Sequence, residues 1–150
     1  MIENEYYQIT INPNGSLDIL DKANDILYKN QGIIEENGDD GDSFNYSPPV
    51  KDWTISSTDV DPKITIQQSD IYQSVRLEFL LKVPQNLSER SEKQATAELP
   101  IVLELVLKKN FADHWFQFDG DIKPWMSSGL CFCCIRGITR NFSIADQQFG

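Results

Sequence analysis

One histidine and three cysteines are the only imidazole and thiol ligands in this 150-residue chain. Cys131, Cys133 and Cys134 cluster in GLCFCCIRG, and adjacent or alternate cysteines rarely reach disulfide geometry with one another. A zinc site would need a second Cys or His pair at a distance, and His114 alone does not supply one. The cluster therefore reads as small apolar filling of a buried strand, and His114 as a structural hydrogen-bonding residue. No apolar run approaches membrane-spanning length. The N-terminal MIENEYYQ lacks the basic-then-apolar order of a signal peptide. The expectation is a cytoplasmic protein, in which the Asn-X-Ser triplets at Asn14, Asn45, Asn86 and Asn141 carry no weight as glycosylation sites. Nucleophile elbows, phosphate loops and dinucleotide fingerprints are missing too.

Basic residues are scarce: 13 Lys and Arg stand against 23 Asp and Glu, for a net charge of −10. Residues 1–62 hold thirteen acids and three bases, whereas residues 63–150 hold ten of each, so the excess belongs to the N-terminal part. Such a surface repels phosphate backbones and anionic bilayers, which excludes nucleic acid and membrane as natural partners.

Sustained apolar stripes of helical period are absent, and period-two alternation takes their place. Tyr7, Ile9 and Ile11 alternate with polar neighbours up to Asn12-Pro13-Asn14-Gly15, a strong turn signal, after which Leu17 and Ile19 resume the alternation. The pair predicts a hairpin. Val75, Leu77, Phe79, Leu81 and Val83 share one face of a longer strand, and Ile101, Leu103, Leu105 and Leu107 share one face of another. Ile64 with Ile66, and Phe116 with Phe118, mark two shorter strands. The connector QNLSERSEKQATAE, residues 85–98, has room for one short helical turn, but its lack of periodic apolar residues favours a loop. With 40% hydrophobic residues the chain is globular. Six to ten strands joined by turns predict a single all-β domain over 1–150, an antiparallel β-sandwich.

The candidate chemistry lies in GDDGDSFNYSPP, residues 38–49. Asp40 and Asp42 alternate as calcium ligands do, but Phe44 stands at the next alternate position and no distal Glu follows. On composition the acids read as a solvated turn. The sequel adds a second reading. Phe44 and Tyr46 would share a face of an extended segment, stiffened by Pro48-Pro49. Aromatic rings beside acids and amides bind sugars by stacking and by hydrogen bonds to hydroxyls. Asp42, Phe44 and Tyr46 are thus the candidate substrate-binding residues; no catalytic residue and no metal ligand is assigned.

NEYYQITINPNGSLDILDKANDILYKN followed by GDDGDSFNYSPP resembles the start of the C-terminal β-domain of family 38 glycoside hydrolases, the α-mannosidases, in their bacterial branch. NFADHWFQF and SIADQQFG resemble later segments of that domain. The resemblance implies a supersandwich similar to that of galactose mutarotases, placed after an α/β barrel and a three-helix bundle. It also implies a retaining mechanism at a zinc ion held by His and Asp side chains of the N-terminal domains, so that this chain itself carries no cofactor. The β-domain would line the rim of a site for mannose-containing saccharides, with Phe44 where an active-site Tyr is usual. Two departures stand out: Phe44 lacks the tyrosine hydroxyl, and Trp115 follows Asp113-His114 where Arg is usual. PWMSSGLCFCCIRGI matches no part of the pattern, so the cysteines inherit no role.

The resulting expectation is an incomplete sandwich, the portion of an α-mannosidase that lacks its catalytic barrel and is silent when isolated. SIADQQFG ends on Gly150 with no charged or flexible terminus. An incomplete sandwich leaves an apolar face uncovered, which favours association between copies as homo-oligomers. A stand-alone carbohydrate-binding module and a structural scaffold domain are the alternatives.

Overall fold

The computed structural model describes residues 1–41, 45–110, 114–120 and 132–136, the last two segments by their backbone pairing. Among them are eleven strands and one short α-helix. The first sheet has the order β1-β2-β3-β4, from Ile2–Glu3, Tyr7–Ile11, Leu17–Asp21 and Ile26–Gln31. β5 (Ile33–Asn37) and β6 (Ile55–Ser56) pair, and β5 also carries β11 (Phe132–Arg136) on its other edge. The largest sheet has the order β10-β9-β8-β7, from His114–Gly120, Ala97–Lys108, Tyr72–Val83 and Lys63–Gln68. Every neighbouring pair is antiparallel. The all-β sandwich expected from the alternation is the fold observed.

β8 and β9 are the spine, in register from Tyr72 opposite Lys108 to Val83 opposite Ala97. That register sets Val75 against Leu105 and Leu77 against Leu103, all four buried. Ile9, Leu17 and Ile19 from the first sheet and Ile34 and Ile55 from the β5–β6 sheet join the same core. One apolar cluster therefore unites the three sheets, as a sandwich requires.

The predicted hairpin is β2–β3, with Ile9 opposite Ile19. The Gly15 N–H donates to the Asn12 carbonyl at 2.9 Å, and Gly15 adopts φ +82°. A Cβ there would also lie 2.7 Å from the Phe79 ring and 2.9 Å from Pro62. Backbone torsion and close packing both demand glycine at this turn.

The connector 85–98 departs from its loop reading. It contains α1, Leu87–Ser91. Asn86 caps it by accepting from the Glu89 N–H at 3.0 Å, and the Glu89 carboxylate reaches back to the Gln85 N–H at 3.0 Å. An apolar stripe is the wrong signal for so short a helix, which is held by its caps. The spacing Asn86-x-x-Glu89 is the sequence sign that reveals it. Ile64 and Ile66 do mark a strand, β7, which among the described residues forms an edge where both remain substantially exposed. Cys133 and Cys134 lie on β11 opposite Glu36 and Glu35. Cys131, the burial of all three cysteines and the side chain of His114 lie outside the described residues.

Candidate functional site

The loop between β5 and β6 carries the candidate residues. Its first acid is not part of a solvated turn. Asp39 is buried, and its Oδ1 accepts the N–H of Gly41 at 2.8 Å and of Ser47 at 2.9 Å. The Asp40 N–H adds a bond to the Ser47 carbonyl at 2.7 Å. One carboxylate thus folds the loop back on itself, an Asx-type use of aspartate. Gly41 faces the Asn45 carbonyl so closely that a Cβ would collide with it.

Asp42 and Phe44 lie outside the described residues. Tyr46 is on the surface, 53% exposed, and the described part of the loop around it belongs to none of the strands. No strand is assigned at Tyr46, and the extended segment expected over Phe44–Tyr46 begins outside the described residues.

Beneath the loop lies a constellation that period-two reading misses. Glu36 occupies the inward face of β5, two residues after buried Ile34, and is fully buried itself. Arg90 of α1 is 4% exposed and its Nη2 pairs with Glu36 Oε1. Its Nη1 donates to Asp52 Oδ1 at 2.9 Å and to the Trp53 carbonyl at 3.0 Å. Asp52 also accepts the Gly38 N–H at 3.2 Å and the Trp53 N–H at 2.8 Å. Gly38 is glycine for a steric reason: a Cβ would collide with the Arg90 side chain and with Pro49. Buried charges persist only when paired and hydrogen-bonded, and this arrangement meets that condition. The only sequence signal for it is an acid where alternation calls for an apolar residue.

No group of three or more His, Cys, Asp or Glu among the described residues is arranged to hold a metal ion. Asp39 Oδ1 is committed to two backbone N–H groups. No helix among the described residues is long and apolar enough to cross a membrane.

Hydrogen bonds to backbone and side chains lower the pKa of several surface carboxylates. The Gln85 N–H and then the Thr96 hydroxyl hold Glu89 below its ordinary value, and Lys63 and Arg76 do the same for Glu78. The Asn110 N–H lowers Glu5, and Asn24 lowers Asp21. A depressed folded-state pKa means that the unfolded chain binds the proton more readily. Their contribution is therefore complete above the ordinary carboxylate range and lost as pH falls through the lowered values. Urea midpoints are expected to be level above about pH 5 and to fall below about pH 4. A midpoint that rises on acidification would contradict this assignment.

No family model and no curated protein matches the sequence. Solved structures match it in fold. One neighbour is a protein in glycosyl hydrolase family 38 from Enterococcus faecalis, with a TM-score of 0.69 and 22% identity over 80% of this chain. An α-mannosidase from Enterococcus faecalis gives the same values. The chain spans only 16% of the length of either neighbour. The fold is thus that of one segment of those much longer neighbours.

Proposed function

We propose that this chain is the β-sandwich portion of a retaining, zinc-dependent α-mannosidase, and that its 38–53 loop forms part of the rim of the sugar site. The observation that carries the reading is the fold match to an α-mannosidase over 80% of the chain. The likeness of NEYYQITINPNGSLDILDKANDILYKN and GDDGDSFNYSPP to the family 38 β-domain points the same way from the sequence. Asp42, Phe44 and Tyr46 would face the saccharide. The exposed ring of Tyr46 supplies a stacking surface, while Asp42 offers a carboxylate to sugar hydroxyls. Zinc, the nucleophile and the general acid would come from the barrel that precedes the sandwich.

Two measurements test this reading. The chain alone, assayed with 4-nitrophenyl α-mannoside and added zinc, is expected to show no turnover, and titration with mannose or manno-oligosaccharides to show no micromolar binding. Zinc-dependent turnover would overturn the proposal, whereas micromolar binding would favour a stand-alone carbohydrate-binding module. In the barrel-bearing enzyme, Tyr46→Ala is expected to raise KM for the aryl mannoside about two- to tenfold with kcat little changed. That is the magnitude of one lost aromatic stacking contact made alike in ground and transition states. An unchanged KM would remove Tyr46 from the site.

A further inference from the structure

The loop that carries Tyr46 joins two strands that pair directly, with Glu36 opposite Ile55. Its far part is closed internally by Asp39, but those bonds link loop residues only to one another. Among the described residues, Arg90 ties both limbs of the loop to the sandwich, entering from a helix 38 positions away from Asp52 and 54 away from Glu36. On the incoming limb it pairs with Glu36 and packs against Gly38. On the outgoing limb it bonds Asp52 and the Trp53 carbonyl. Asp52 then closes the ring by accepting the Gly38 N–H from the opposite limb.

We propose that Arg90 is the positioning residue of the 38–53 loop: its guanidinium pins both limbs to the sandwich, and through them sets where Tyr46 is presented. The functional half of this inference rests on the rim reading given above. The structural half does not.

The chemistry explains why an arginine stands here. A planar guanidinium reaches two carboxylates and a carbonyl through separate N–H groups at fixed angles. A lysine ammonium supplies the charge as a single point on a flexible stem and cannot hold both limbs in one geometry. Gly38 and Arg90 are matched: without a Cβ at position 38 the side chain passes close to the backbone and reaches the carboxylates. The cap bonds of α1 fix the helix from which Arg90 projects, so the connector 85–98 belongs functionally to the loop it holds.

Amide hydrogen exchange on the 150-residue chain tests the structural half. In Arg90→Lys, the N–H groups of Gly38, Asp40, Ser47 and Trp53 are expected to exchange at least tenfold faster. Those of Leu77 and Leu103, in the sandwich spine, are expected to change far less. Asp52→Asn, which keeps the side-chain shape but weakens the ring, is expected to accelerate the same four amides. Unchanged loop amides would overturn the proposal. So would equal acceleration of loop and spine, or global unfolding of both variants, since each would assign Arg90 to the fold as a whole. No sugar enters this measurement, so its failure is distinct from failure of the mannosidase reading. In the barrel-bearing enzyme, Arg90→Lys is expected to raise KM two- to tenfold, and to add nothing in a Tyr46→Ala background. Full additivity of the two substitutions would show that Arg90 does not act through Tyr46.

Discussion

Glu36→Ala is expected to lower the free energy of unfolding by about 3–5 kcal/mol, the usual cost of removing one partner from a buried ion pair. The side chain is fully buried on the inward face of β5, and Arg90, itself 4% exposed, donates to it. Truncation leaves a guanidinium stranded away from water with part of its hydrogen bonding lost, and that desolvation is the larger share of the cost. The paired replacement Glu36→Leu with Arg90→Met is expected to recover most of the loss. Well-packed apolar residues of similar volume often substitute for a buried pair at little cost. Urea denaturation of the three proteins distinguishes the effects. A loss below about 1 kcal/mol in Glu36→Ala would mean that water reaches the pair, as it does in exposed ion pairs.

The second large effect separates residues that look alike in the sequence. Ile66, Val75 and Leu105 lie on one rung of the largest sheet, joined by the registers of β7 with β8 and of β8 with β9. Leu105 is 0% exposed and Ile66 42%. Leu105→Ala is therefore expected to cost about 2–5 kcal/mol through lost burial and the cavity left behind. Ile66→Ala is expected to cost under about 1 kcal/mol, because its surroundings are open at the β7 edge. Denaturation at two protein concentrations makes the comparison informative about association as well. If Ile66→Ala proves as costly as Leu105→Ala, and more so at the higher concentration, the β7 edge is covered by a second copy of the chain.

Local periodicity made the sandwich legible from the residues alone. The alternation of Val75 to Val83 and of Ile101 to Leu107 appears in the structure as the buried faces of β8 and β9. Asn12-Pro13-Asn14-Gly15 appears as the tight turn of β2–β3. Such features are written within a few consecutive residues, because side-chain direction alternates along a strand and few residues tolerate positive φ. The loop acids were legible only in part. Spacing alone argues against a calcium loop, but the capture of backbone N–H groups by Asp39 depends on how the chain doubles back.

Other features lay outside any local pattern. Ile66 alternates as well as Val75 does, yet only the strand order leaves it on an edge. Glu36 and Arg90 are each ordinary charged residues in the sequence, separated by 54 positions. Which residues of β8 and β9 share a face was therefore readable in one dimension, because alternation is a property of the strand itself. Which of those faces is covered, and which buried acid meets which base, took three dimensions to settle. Both depend on packing between distant segments, and no local pattern records it.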